Sequence, residues 1–207
     1  MIKNLVFDVG NVLVTFDPDT YISGFVANPA KVRYLSHKIF LSRFWKAGDL
    51  GMMTRQESVD AICEENPGYE TLIHRILQNC NQMLTEVPQN THFLKELKEA
   101  GFSLYILSNT NSSAWEYMTT HYALFQYMDG VTVSFMEHCL KPEPEIFKRL
   151  IMCHNLVPEN CIFVDDMEVN TNIARILGFQ TITLQHPTRL REELMKIPVI
   201  CNAFPVK

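Results

Sequence analysis

Three apolar runs, each halted by a polar residue, stand out along the chain. Leu5-Val6-Phe7 stops at Asp8, Leu104-Tyr105-Ile106-Leu107 stops at Ser108-Asn109-Thr110, and Cys161-Ile162-Phe163-Val164 stops at Asp165-Asp166. Runs without polar alternation read as strands covered on both faces. Between and after them the spacing predicts helices over 91–100, 112–122, 143–153 and 169–177, with further strands near 131–133 and 181–184. Phe93, Leu94 and Leu97 would face inward on the first of these helices, and Gly101 would end it. Strands alternating with helices imply parallel crossovers, so the expected fold is α/β, a Rossmann-like doubly wound parallel sheet.

Residues 20–85 break that alternation. No buried strand is legible there, only amphipathic segments punctuated by Asn28-Pro29, Gly48-Asp49-Leu50-Gly51 and Asn66-Pro67-Gly68. Ile39, Phe40, Phe44 and Trp45 recur at helical spacing, as do Val59, Ile62 and Cys63, and Thr54-Arg55-Gln56-Glu57 has the form of a capping box. The expected organisation is a core over 1–16 and 87–207 with an all-helical insert over 17–86. There are no repeats, low-complexity runs or flexible linkers.

In open α/β sheets, ligands bind outside the carboxyl ends of the strands. Asp8 ends the first strand there, although an Asp at that point also suits a strand or turn cap. Right-handed crossovers would bring the other run ends to the same edge. Those ends carry Ser108-Asn109 and Asp165-Asp166, and His138-Cys139-Leu140-Lys141-Pro142-Glu143-Pro144-Glu145-Ile146-Phe147 sets a lysine on a proline-stiffened turn that opens a helix.

An Asp, a Ser, a Lys on a Lys-Pro-x-Pro turn and an acidic pair, in that order across nearly the whole chain, resemble the four motifs of the haloacid dehalogenase (HAD) superfamily. The helical insert is similar to the small cap of the subgroup whose insert follows the first motif. The wording Asp-x-Gly-Asn-Val-Leu with Leu-Ser-Asn-Thr resembles a branch of small bacterial sugar-phosphate phosphatases, α-glucose-1-phosphate phosphatases among them. The resemblance implies an aspartyl-phosphate mechanism with Asp8 as nucleophile. It also implies Mg²⁺ held by Asp8, the backbone carbonyl of Gly10 and Asp166, all hard oxygen ligands. Ser108, Asn109 and the amides that follow would bind phosphate at a helix start, and Lys141 would neutralise charge between nucleophile and phosphate. Asp165 and Asn170 would support from behind. The expected activity is hydrolysis of a small phosphorylated metabolite, a sugar phosphate such as glucose 1-phosphate.

One position departs from that pattern. Most phosphatases and mutases of the superfamily carry a second Asp two residues after the nucleophile as general acid and base, and here the residue is Gly10. Such help is typically worth about 10²–10⁴-fold. Either the leaving group is good, or a cap residue or the substrate handles the proton, or the chain binds phosphorylated ligands with little turnover. Asp17 is a candidate stand-in and also a plain turn residue before Pro18. A metal-free 2-haloacid dehalogenase is the weaker reading, because Asp165-Asp166 would repel an extra carboxylate. The segment 45–51 is the expected substrate loop, with Trp45 either stacking on substrate or packing inside the insert, and His138 is a neighbour of Lys141 on its loop.

Composition narrows the partners. With 207 residues, a 47% hydrophobic fraction and a formal charge of −5, the chain can bury a core but offers no field that would attract nucleic acid or an anionic membrane. No signal-like segment and no run near the roughly 20 apolar residues of a membrane span is present, which points to a cytoplasmic protein. Six scattered cysteines lack a C-x-x-C pair, and seven histidines lack paired-ligand spacing. Oligomeric state is not legible.

Overall fold

The structure, a computed structural model, describes residues 2–204. Five parallel strands form the central sheet: β1 (Asn4–Phe7), β4 (Ser103–Ser108), β5 (Gly130–Val133), β6 (Cys161–Asp165) and β7 (Gln180–Thr183). Their order is β5-β4-β1-β6-β7, which puts β1 at the centre. Leu5 pairs with Leu104 on one side and Ile162 on the other, and Phe7 with Ile106 and Val164. Asp165 therefore lies level with Asp8 across the sheet edge, and Ser108 one residue further out.

Unbroken apolarity in β1 is explained by its two faces. Leu5 and Phe7 join Phe93, Leu94 and Leu97 of α6 (Pro88–Glu99) and Leu190 and Leu194 of α11 (Leu190–Met195). Val6 points the other way, toward Ile146, Phe147 and Leu150 of α9 (Pro144–His154) and Ala174 of α10 (Glu168–Ile176). Alternation along the strand thus feeds two separate cores, one per face. The helix α7 (Ser112–His121) starts just beyond β4, and the short α8 (Ser134–Glu137) directly follows β5.

Helices α1 (Pro18–Ser23), α2 (Pro29–Phe40), α3 (Arg43–Asp49), α4 (Arg55–Glu65) and α5 (Glu70–Gln78) lie between β1 and α6. They share a core of their own, with Ile22, Leu35, Ile39, Ile62, Ile73 and Ile76 almost fully buried. Local capping sets the helix starts: Asp17, Asn28, Ser42 and Thr54 each accept a backbone N–H in the first turn, and Thr54 and Glu57 form the expected capping box.

Two details differ from the sequence reading. A short ribbon that the sequence did not announce joins the insert: β2 (Val14–Thr15) and β3 (Thr85–Glu86) pair antiparallel where the chain leaves and re-enters the sheet domain. Two residues per strand are too few to show alternation. The expected substrate loop 45–51 is not a loop over most of its length either; α3 runs through Trp45 to Asp49, and only Gly51, at φ +68°, turns the chain. Among the described residues no helix is long and apolar enough to cross a membrane.

Candidate active site

Asp8, Ser108, Lys141 and Asp166 line one cleft of about 270 Å³ at the carboxyl edge of the sheet. Lys141 is its centre of charge. The ammonium is buried and lies 2.9 Å from Asp8 Oδ1 and 2.7 Å from Asp165 Oδ2. Burial alone would push this ammonium down, but Asp8 and Asp165 outweigh that and hold it above its ordinary range. The Lys141 backbone is fixed by Asn109, whose side-chain oxygen accepts from Lys141 N at 2.8 Å while its Nδ2 donates to Lys141 O at 2.9 Å. Both side-chain groups of Asn109 are thereby spent on the lysine loop, so what Asn109 can offer a phosphate is its backbone N–H.

Asp165 is fully buried, and both its oxygens are engaged. Lys141 holds one, while Met167 N and Asn170 Nδ2 donate to the other at 2.8 and 2.9 Å. It orients the ammonium instead of facing the cleft, and Asn170 steadies it. Asp166, by contrast, is half-buried and lines the cleft. Its Oδ2 accepts from Asn11 Nδ2 at 3.2 Å. Asn11 adopts the left-handed conformation (φ 54°), which Asn tolerates better than most residues, and its side-chain oxygen accepts from Phe16 N at 2.9 Å. Asn11 thus ties the turn after β1 to the acidic pair, a role that its place in the first motif did not disclose.

The donor set fits a hard divalent cation. Asp8, Asp165 and Asp166 offer oxygens that all lie within 4.8 Å of one another. Three carboxylates against one ammonium leave two negative charges uncompensated. The cost is visible in their acidity: burial pushes Asp8 up to about 7, with Lys141 opposing and Asp165 and Asp166 adding to the rise. Asp166 is raised as well, mainly by burial, with Asn11 pulling against it. Asp8, Asp166 and the carbonyl of Gly10, which also lines the cleft, could ligate such an ion. Glycine at position 10 answers no backbone demand: its φ is not positive, and an added Cβ would meet only Phe16 Cβ, at 3.9 Å.

The secondary candidates divide. Asp17 is an exposed cap of α1, accepting from Thr20 N at 3.0 Å and Thr20 Oγ1 at 2.6 Å, and these bonds lower its acidity range. It does not line the cleft, so it is not a stand-in proton donor. Trp45 both packs edge-on against Phe40, at 4.7 Å between centroids, and lines the cleft. His138 is exposed and bonds the carbonyl of Leu50 at 2.9 Å, so it fastens the insert to the sheet domain and does not serve Lys141. Asp49, which the sequence reading placed in the expected substrate loop without a role of its own, lines the cleft from the insert. All six cysteines are free.

Fold and site together define a hydrolase built on the parallel sheet, and residues 2–172 match the haloacid dehalogenase-like hydrolases. The chain belongs to that family. Among named relatives, a D-ribitol-5-phosphate phosphatase of Bacteroides thetaiotaomicron is 28% identical over 210 residues, covering 95% of this chain and 98% of its own. A sesquiterpene phosphatase of Aspergillus oryzae is 24% identical, over 85% of this chain and 86% of its own. A HAD family enzyme of B. thetaiotaomicron, solved in complex with magnesium and inorganic phosphate, superposes with a TM-score of 0.71 at 28% identity, covering 88% of this chain and 94% of that one. The named relatives thus correct the sequence reading in one respect: the near-full-length match acts on ribitol 5-phosphate, not on α-glucose 1-phosphate.

Proposed function

We propose that the chain is a Mg²⁺-dependent phosphomonoesterase of the cytoplasm that works through a phosphorylated Asp8 on a small sugar or polyol phosphate. The observation that carries this reading is the buried Lys141 ammonium held between Asp8 and Asp165, with Asp166 open to the same cleft. Mg²⁺, held by Asp8, Asp166 and the Gly10 carbonyl, would supply the positive charge that lets an anionic nucleophile meet an anionic phosphate.

The chain's own groups do the rest. Asp8 uses one oxygen to attack phosphorus, and the ester oxygen departs. Lys141 neutralises the nonbridging oxygens, and it stays in place because Asn109 pins its backbone and Asp165 its head. Ser108, buried at the end of β4, and the N–H groups opening α7 donate to the phosphate. The helical insert over 17–86 acts as a cap that screens the reaction from water and selects the substrate. The ribitol-5-phosphate relative supports a polyol or sugar phosphate, and glucose 1-phosphate is the comparison to make beside it.

The replacement of the second Asp by Gly10 favours one other reading, a phosphate-ligand binding protein with little turnover. Hydrolysis of p-nitrophenyl phosphate with and without Mg²⁺, with Asp8→Asn as control, decides between them. The phosphatase reading expects Mg²⁺-dependent turnover that Asp8→Asn abolishes. A rate that ignores the metal or survives the substitution would remove it.

A further inference from the structure

Phosphoryl transfer from an alkyl ester needs a proton for the departing oxygen, and Gly10 has no side chain to deliver it. Asp17 is committed to capping α1. Three carboxylates line the cleft, Asp8, Asp49 and Asp166. Two of them belong to the nucleophile and the cation. Asp49, at the end of α3, comes from the insert.

The placement of Asp49 is enforced from several sides. Asn111 Nδ2 donates to Asp49 Oδ1 at 3.3 Å, and Asn111 is the N-cap of α7, three residues past Ser108. The carboxyl group is therefore tethered at the rim of the phosphate loop. Its backbone is docked too, because Ser134 Oγ donates to Asp49 O at 2.6 Å and His138 bonds the next carbonyl, that of Leu50. Among the described residues Asp49 Oδ2 has no hydrogen-bond partner. Among the described residues no cation faces this carboxyl group at bonding distance, in contrast to Asp8.

We propose that Asp49 is the general acid and base of this enzyme, replacing from the insert the side chain that Gly10 lacks. The assignment rests on the phosphatase reading. The protonated Asp49 gives its proton to the ester oxygen as the P–O bond breaks and Asp8 forms its own bond to phosphorus. The resulting Asp49 carboxylate then takes a proton from the water that attacks the phosphorylated Asp8. Phosphate leaves, and both carboxyl groups return to their starting states. Burial supports the acid role, since it pushes Asp49 up to about 7, against a small opposing effect of Asn111, and so keeps a proton on it near neutral pH.

The test is kcat/KM across p-nitrophenyl, phenyl and primary alkyl phosphates, with Mg²⁺, which reports the steps through transfer to Asp8. In the wild type a working acid makes this parameter depend only weakly on leaving-group acidity. Asp49→Asn should lower it about 10²-fold or more for the alkyl ester and less than tenfold for the p-nitrophenyl ester, whose phenolate departs unaided. Gly10→Asp, for which the backbone has room, should restore at least tenfold of the alkyl rate in the Asp49→Asn background. The leaving-group dependence of the wild type is a reading independent of how Asp49→Asn folds. Equal losses on both esters, no loss on either, or a steep leaving-group dependence in the wild type would each overturn the assignment. Absence of Mg²⁺-dependent p-nitrophenyl phosphate hydrolysis in the wild type would instead overturn the phosphatase reading, and this inference with it.

Discussion

Single residues in this cleft are held in states that water would not give them, and their energetics can be read apart from catalysis. Asp49 is the clearest case. Its acidity moves from an ordinary 3.8 to about 7 on folding, chiefly through burial. The folded chain therefore binds the proton more tightly than the unfolded one, so stability falls as pH rises from about 4 to about 7 and stays reduced above. Asp49→Asn keeps the shape and the contact with Asn111 but removes the titration. Each pK unit is worth at most about 1.4 kcal/mol, and partial exposure scales the effect down, so we expect a gain of about 1–2 kcal/mol at pH 8. Thermal melts of the metal-free pair should show Asp49→Asn ahead by several degrees at pH 8 and level with the wild type near pH 4. A difference that does not change with pH would mean that Asp49 is solvated in the folded chain. Its own role, within the expected substrate loop 45–51, was hidden for a physical reason. Its partners Asn111 and Ser134 lie 62 and 85 positions away, and no local pattern encodes such contacts.

Elements show what patterning can and cannot carry. The ends of β1, β4 and β6 were legible because a fully buried strand leaves an uninterrupted apolar run, and the polar residue that stops it must sit at the sheet edge. The strand order was not legible: that Leu5 pairs with Leu104 and Ile162 is a long-range choice that apolar runs do not encode. The β2–β3 ribbon was not legible, since two residues per strand carry no period, and 45–51 read as a loop because Gly48 and Gly51 read as breakers. Gly48 is in fact buried within the helix, and Gly51 is the residue that turns. Gly51 does so against the sheet domain: a Cβ there would come within 2.3 Å of Phe135 O, at a φ of +68° that other residues resist. The three atoms nearest that point, from Phe135 and His138, all belong to the sheet domain. Gly51→Ala should therefore leave the insert folded but prop it away from α8. The expected outcome is a raised KM and a kcat lowered about tenfold, with a loss of about 1–2 kcal/mol in urea stability from the left-handed backbone. Unchanged kinetics would show that closure of this contact does not limit the reaction.

At the scale of the whole molecule, the formal charge of −5 says little about where the charge matters. Three carboxylates meet one ammonium at the carboxyl edge of the sheet, beside a cleft roofed by the insert, and the cost of this excess negative charge is borne by the folded state alone. A divalent cation that binds only the folded chain should then stabilise the entire fold by RT ln(1 + [Mg²⁺]/Kd), about 2.7 kcal/mol at a hundred times Kd. For a chain of this length that corresponds to a rise of roughly 5–10 °C in Tm. Asp166→Asn separates the two terms. It removes one of the repelling carboxylates, so the metal-free protein should be as stable as the wild type or more so at pH 7.5, and it removes a ligand, so the Mg²⁺-dependent rise should largely vanish. Calorimetry of both proteins with and without Mg²⁺ makes the comparison. An Asp166→Asn chain that still gains the full increment would place the ion elsewhere, because a cation bound away from the acidic pair would have no reason to feel the loss of that charge.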